Sequence, residues 1–403
     1  MPIFLYFPIV RTNVILLGIE HSTAHPMRGF TMIKPATCHY DVVGSFLRPA
    51  RLKDARAQHA VGTINDAALE TVENECIAEL IEKEKAAGLP FLTDGEFRRS
   101  YWHLDFMWGL HGVEHVELDH GYFFVGEETT KGSAVLTGKI TGESHPFVEH
   151  FKFVQQFESE GHVAKQTIPA PAQLVLELYR DEAATERTKS FYPDEGELLA
   201  DIGAAYRTVI AELYAAGCRH LQFDDCTWGA LVDEGFQAAI RATGSTPEAE
   251  AEKYLCVNNL ALEDRPDDLI VTTHVCRGNY HSTYASSGPY DFVAPVLFAH
   301  ENVDAFYLEF DDERSGGFEP LKHIAEGKEV VLGLITTKRA ELEDKQTVID
   351  RIHEAAEIVP LERLSLSPQC GFASCEIGNK LTEDEQWAKI ALVKEIAEEV
   401  WGR

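Results

Sequence analysis

His274 and Cys276 stand two apart in Val271-Thr272-Thr273-His274-Val275-Cys276, a β-branched run that leaves into Arg277-Gly278-Asn279-Tyr280. On a strand, residues i and i+2 point to the same side. An imidazole and a thiol then project together, a pair suited to zinc, which takes nitrogen and sulfur ligands. Alone, such a pair equally describes a polar strand end. It gains weight only if further ligands converge on it. Two more donors, Glu309 and Cys370, follow other apolar runs, Ala305-Phe306-Tyr307-Leu308-Glu309 and Leu364-Ser365-Leu366-Ser367.

The elements that would bring them together are eight short β-prone runs alternating with helical patterns. The runs are residues 40–45, 91–96, 163–168, 220–225, 269–274, 305–309, 329–335 and 364–367. Helical spacing of apolar residues marks 65–87, 195–216, 246–261, 345–358 and 383–400. This rhythm predicts an α/β fold, a single (β/α)8 TIM barrel, over residues 32–403. An open doubly wound sheet is the alternative, but no Gly-x-Gly-x-x-Gly follows the first run. Residues 100–163 interrupt the rhythm after the second strand. They hold seven of the seventeen histidines and read as β-hairpins inserted over one end, with the histidines on a surface or lid. Met107, Trp102 and Trp108, at the entry to that segment, read as packing. Residues 1–31 read as a poorly ordered N-terminal extension, too short and too broken by Arg11 for a membrane span.

The chain has 403 residues, 45% hydrophobic and 25% charged, a globular composition with length for a large core. Its net charge of −30 would repel nucleic-acid phosphates and anionic membranes, so neither is an expected partner. The eight cysteines are scattered rather than arranged as a disulfide framework, which points to reduced thiols and a cytoplasmic location.

In a barrel of this kind the active site lies at the C-terminal strand ends. Reading the exits in order gives Gly44-Ser45, Gly95-Glu96, Pro169-Ala170, Asp224-Asp225, His274-x-Cys276, Glu309, Thr336-Thr337-Lys338 and Cys370-Gly371. His274, Cys276, Glu309 and Cys370 would make a four-ligand Zn2+ set. A sulfur- and carboxylate-rich site holds an added thiol as thiolate, because coordination lowers its pKa. Hydroxide-generating sites more often keep neutral histidines and an open water position. The expected chemistry is S-alkylation of a small thiol. Asp224 and Glu96 would hold the ammonium of an amino-acid thiol. Gly44 and Ser45 would hold its carboxylate.

The chain resembles the C-terminal catalytic barrel of cobalamin-independent methionine synthase, and most of all the short single-barrel forms. The resemblance runs from about Tyr40 to the C-terminus. It rests on Val43-Gly44-Ser45-Phe46, Asp94-Gly95-Glu96, Gln222-Phe223-Asp224-Asp225, Thr273-His274-Val275-Cys276, Leu308-Glu309 and Ser367-Pro368-Gln369-Cys370-Gly371. It implies zinc ligation by His274, Cys276, Glu309 and Cys370, and binding of homocysteine by Gly44, Ser45, Glu96 and Asp224. The implied reaction is methylation of homocysteine to methionine, with Asp224 and Lys338 as catalytic candidates. Lys338 lies in the segment where the family carries a proton-moving His.

Three departures concern the methyl donor. The family's N-terminal barrel is missing. The folate-stacking Trp after the third strand is missing from Ala170-Pro171-Ala172-Gln173. The acidic residue tied to the pterin falls near Gly229-Ala230. The donor is therefore methyltetrahydrofolate or another carrier such as a methylated corrinoid protein. An epoxide:thiol transferase, a metal-free decarboxylase and a barrel with structural zinc are the alternatives.

Overall fold

A computed structural model of the chain describes residues 34–402, so the expected extension over residues 1–31 lies outside the described residues. Six parallel strands form one sheet in the order Leu364–Pro368, Glu329–Ile335, Ala305–Glu309, Ile270–Val275, His220–Asp225 and Gln166–Pro169. Phe91–Leu92 pairs in parallel with Val163–Ala164, which precedes Gln166–Pro169 directly. The segment at Tyr40 closes the ring. Tyr40 bridges Leu366, the Leu366 amide donates to the His39 carbonyl at 2.9 Å, and the Phe46 amide donates to the Gly95 carbonyl at 3.1 Å. Eight extended segments thus close the expected barrel.

Two of them are shorter than the sequence suggests. Residues 40–45 make a single bridge rather than a strand, because Gly44 turns the chain at φ +143°. The second strand stops at Leu92. Asp94 Oδ1 accepts from the Glu96 amide at 2.8 Å, and Gly95 and Glu96 both take left-handed φ of 62°. Left-handed backbone is unfavourable for a glutamate and clusters at functional sites.

The helices follow from their caps and apolar faces. Asp66–Ala87 starts at Asn65, whose side chain accepts from the Ala68 amide, and stops at Gly88 with φ 80°. Cys76, Ile77, Leu80 and Ile81 form its buried face. Glu383–Trp401 opens with a Thr382/Glu385 capping box. Short helices that the periodicity did not predict fill several connections, among them Ala50–Ala60, Phe147–Gln155, Pro171–Leu178 and Thr227–Leu231. Each has too few turns to show a repeat.

The barrel interior is partly polar. Lys165 Nζ sits 2.6 Å from Asp41 Oδ2 and 2.6 Å from the Val42 carbonyl, and Tyr307 donates to Asp41 Oδ2 at 2.6 Å. The Asp41 and Lys165 side chains are 0% and 3% exposed. Removing one partner of such a pair strands a buried charge, at about 3–5 kcal/mol. Lys165→Met is expected to lower stability by that amount in denaturant titration. A change below about 1 kcal/mol would mean that water reaches Asp41.

The insertion contains the expected hairpins. His111–Glu117 pairs antiparallel with Gly132–Thr141, and Phe123–Phe124 pairs with Glu127–Glu128 around Gly126 at φ 77°. The tip of the second hairpin is tied down. Val125 donates to the Tyr284 carbonyl at 3.0 Å and accepts from Thr283 Oγ1 at 2.9 Å. Of the segment's histidines, His103 and His145 are buried rather than on a surface. Among the described residues no helix is long and apolar enough to cross a membrane.

Candidate metal and thiol site

The late strand ends bring His274, Cys276, Glu309 and Cys370 together. All four are buried, and one ligand atom of each lies within 4.8 Å of the others. Parallel pairing sets this up: Tyr307 stands opposite His274, and Glu309 ends the same strand. Cys276 Sγ and Cys370 Sγ are 3.7 Å apart, too far for a disulfide and suited to two ligands of one ion.

His274 Nδ1 lies 3.3 Å from the Tyr307 carbonyl, whereas the buried Nε2 has no hydrogen-bond partner. A buried polar atom without a partner is costly. Here the orphaned nitrogen belongs to a cluster of two thiols and a carboxylate, which is how a metal-binding imidazole is held from its far side. The donor set therefore fits zinc.

Burial alone would raise the Glu309 pKa. Lys338, Arg314, His274 and Arg277 outweigh it and hold the carboxyl down to about 2. Glu309 Oε1 accepts from the Arg277 amide at 2.9 Å, and Oε2 accepts from Arg314 at 2.8 Å. The thiols behave oppositely. Donating to Cys226 raises Cys276 well above its usual value, and donating to Cys276 does the same to Cys370. Close-packed thiols stay protonated until a cation arrives.

Above this centre lies a cavity of about 330 Å³. Ser45, Glu96 and Asp224 line it beside His274, Cys276 and Cys370. Gly44 does not. Its carbonyl accepts from Thr93 Oγ1 at 2.9 Å, and a Cβ there would meet Thr167 at 2.9 Å, so it shapes the turn that presents Ser45. Lys338 does not line the cavity either. Its Nζ is buried without a hydrogen-bond partner, and its charge acts on Glu309.

Desolvation pushes the Glu96 carboxyl up to about 7, against the pull of Arg99. It does the same to Asp224, also to about 7, against a hydrogen bond from Gln222. Glu96 Oε1 accepts from Thr167 Oγ1 at 3.1 Å, whereas Oε2 has no partner. Two buried carboxylates face one cavity, an arrangement that calls for a cationic guest.

The opposite wall is aromatic and comes from the insertion: Tyr101, Trp102, His103, Tyr122, Phe123 and Phe124 all line the cavity. Trp102 is thus a cavity residue, whereas Met107 is fully buried and Trp108 packs on the core, as expected of packing residues. Asn279 Nδ2 donates to the Gly371 carbonyl at 2.7 Å, and Asn379 Nδ2 donates to Asn279 Oδ1 at 3.0 Å, clasping the loops after the fifth and eighth strands.

The sequence reading passed over Cys226, which also lines the cavity. Its signal was register. Asp225 pairs with Val275, so the next residues along the two strands, Cys226 and Cys276, leave them side by side.

A family model described as cobalamin-independent synthase, catalytic domain, matches residues 38–398. The chain belongs to this family. Membership makes it a methyltransferase, and the barrel is the family's. Among curated relatives, the uncharacterized protein YxjH of Bacillus subtilis is 43% identical over 362 residues, 90% of this chain and 94% of its own length. A methionine synthase of Saccharolobus islandicus is 23% identical over 82% of this chain and 87% of its own. A solved structure from Listeria monocytogenes, described as a candidate vitamin-B12 independent methionine synthase, superposes with a TM-score of 0.72. It is 40% identical and covers 91% of this chain and 98% of its own. A B12-independent methionine synthase of Shewanella sp. W3-18-1, solved with selenomethionine, has a TM-score of 0.67 at 20% identity, over 91% of this chain and 98% of its own, and shares the fold.

Close backbone approach leaves no room for a side chain at Gly229. At Gly229, a Cβ would stand 2.0 Å from the Cys276 carbonyl oxygen. The helix Thr227–Leu231 presses its backbone on the strand that carries the ligands, so no side chain fits there. Gly229→Ala is expected to displace Cys276, costing about 1–3 kcal/mol as overpacking does. A crystal structure of the variant with the Cys276 backbone in place would contradict this.

Proposed function

We propose that the protein methylates homocysteine to methionine at a zinc centre held by His274, Cys276, Glu309 and Cys370. The observation that carries this reading is the joint lining of one cavity: soft metal donors His274, Cys276 and Cys370 and two buried carboxylates, Glu96 and Asp224, beside them. Bound zinc would supply the Lewis acidity that keeps a substrate thiol as thiolate at neutral pH. The chain's own residues do the rest. Glu96 and Asp224 bind the substrate ammonium, which neutralises carboxylates that burial otherwise disfavours. Ser45 positions the carboxylate end. Arg277 and Arg314 hold Glu309 ionised in place. Lys338 offsets the negative charge behind the centre and is the proton-handling candidate. Rate comes from fixing sulfur and methyl carbon in line and from excluding water.

The carboxylate pair favours an amino-acid thiol over a thiol lacking the amino group, and so favours this reading over epoxide:thiol transfer. The zinc-loaded protein should bind homocysteine at least about tenfold more tightly than 4-mercaptobutyrate, its deaminated analogue, by calorimetry. The reverse preference would sink the proposal.

The donor arrives from the aromatic side, as methyltetrahydrofolate or on a methylated corrinoid protein. Trp102→Ala should raise the KM for the donor by about 10-fold, the order of 1–3 kcal/mol for a lost stacking face, with the homocysteine KM unchanged. A rise in the homocysteine KM alone would move Trp102 to the substrate side. Rescue of a methionine auxotroph, with and without a corrinoid supply, tests the whole reading.

A further inference from the structure

Glu177 stands in the helix Pro171–Leu178 and is 1% exposed. Three donors converge on its carboxylate. Ser133 Oγ and the Ala134 amide, the latter at 3.3 Å, donate to Oε1, and the Tyr122 hydroxyl donates to Oε2. The Arg180 guanidinium lies 3.6 Å from Oε1, with its Cζ 3.8 Å from the centre of the Tyr122 ring. Burial, and then the charge of Glu177, holds the Tyr122 phenol well above its usual pKa, so it keeps its proton. That proton is spent on Glu177, and the phenol oxygen can then only accept.

His103 Nε2 lies 3.0 Å from that oxygen. The nitrogen must therefore carry hydrogen and donate, which leaves Nδ1 as the bare acceptor of a neutral ring. Burial, helped by Arg180, pushes this imidazole down to about 3, so the ring is neutral at physiological pH. Nδ1 is buried and has no partner among the described residues, and His103 is 4% exposed. His103 occupies the N-cap of Leu104–Met107, where an acceptor could satisfy a helix amide, yet it makes no side-chain cap bond. The network thus fixes one tautomer and leaves its acceptor unused. A buried acceptor is seldom left so, and one in a cavity wall points to a guest. His103, Tyr122, Trp102 and Arg180 all line the cavity. The rings of Trp102 and His103 have centroids 4.6 Å apart at 39°. A group that reaches Nδ1 is flanked by aromatic carbon rather than water.

We propose that His103 determines specificity on the aromatic side, its Nδ1 accepting a hydrogen bond from a ring N–H of a heterocyclic methyl carrier. Tyr122 and Glu177 are positioning residues that hold the accepting tautomer. This rests on the reading that the methyl donor enters from that side, and it is independent of the metal. A corrin is not the group read here, because its ring nitrogens are all bound to cobalt and present no N–H. A carrier without a ring N–H leaves Nδ1 unpaired and is discriminated against.

Calorimetry on the zinc-loaded full chain, with methyltetrahydrofolate and methylcobalamin as probes, tests this. Methyltetrahydrofolate carries ring N–H groups and should bind wild type, and His103→Leu should weaken that binding about tenfold. His103→Asn, which can place an amide oxygen where Nδ1 stands, should restore most of the loss, a rescue that a merely structural role would not give. Tyr122→Phe frees the tautomer and should fall between the two. Methylcobalamin should distinguish none of these proteins. Nitrogen NMR of labelled histidine in wild type needs no variant: the His103 Nδ1 signal should be that of a bare acceptor and should move when methyltetrahydrofolate saturates the site. Unchanged binding in His103→Leu with an unmoved Nδ1 signal overturns the role of His103 and leaves the donor-side reading standing. Binding of methylcobalamin alone overturns the ring N–H as the group recognised. Failure of wild type to bind either probe overturns both the proposal and the donor-side reading.

Discussion

Cys370→Ala protein is expected to come off the column without stoichiometric zinc and without measurable methyl transfer to homocysteine. Cys370 is 3% exposed, its sulfur lies 3.7 Å from that of Cys276, and its chain neighbours carry the clasp to Asn279 through the Gly371 carbonyl. Loss of an outer hydrogen-bond partner of a metal ligand costs roughly 10–100-fold in affinity or activity, and loss of a ligand costs more. The fold should survive, because a thiol-to-methyl change at a strand exit removes little buried apolar area. Zinc content by mass spectrometry and circular dichroism read the two effects separately. Cys256→Ser, at an exposed helical position, is the matched control and should keep its zinc. Full zinc occupancy in Cys370→Ala would remove the centre from the account.

The second large effect is on pH dependence. Burial pushes Glu96 and Asp224 up to about 7 from ordinary carboxylate values of 4.5 and 3.8. As these two carboxylates share one cavity, they titrate as a pair. Between the ordinary range and about pH 7 the native protein binds protons that the unfolded chain has released. The linkage slope is then negative, and this pair's contribution to stability falls as pH rises through that window. Substrate binding runs the other way, since the ammonium needs the ionised forms. The homocysteine KM should rise about tenfold per pH unit below 7 while thermal stability of the free protein improves. Asp224→Asn is expected to raise Tm at pH 8 by about 2–4 °C and the homocysteine KM by 100-fold or more. A variant less stable than wild type at that pH, with an unchanged KM profile, would show that these carboxylates are structural.

The late half of the barrel was easier to read than the early half, for physical reasons. Residues 269–274, 305–309 and 329–335 are near-continuous apolar runs, as strands covered on both faces must be, and their ends carried His274, Cys276 and Glu309 in view. Residues 40–45 looked alike but are held by a single bridge, because Gly44 and the buried Asp41–Lys165 pair bend them into the interior. Nothing local encodes a lysine 124 residues away. The aromatic wall was hidden for a similar reason. Tyr122 and Phe124 belong to a hairpin whose place over the cavity depends on hydrogen bonds between Val125 and the Thr283 and Tyr284 segment, and Trp102 lies in the turn that leads into the insertion. Cys226 was missed because the exit Asp224-Asp225 was read one residue short.

The closure of the barrel bears on when the proposed metal centre could form during synthesis. The ring is sealed where Leu366 meets Tyr40, and Cys370 follows that seam by four residues. The pocket wall, His274, Cys276 and Glu309 all leave the ribosome earlier. At about 5–20 residues per second, some seconds separate Cys276 from Cys370. During that interval the nascent chain offers a partial set of ligands on an open sheet. The same final strand that ends the unpaired edge delivers Cys370, so the proposed ligand set would be complete only as the chain becomes a closed barrel.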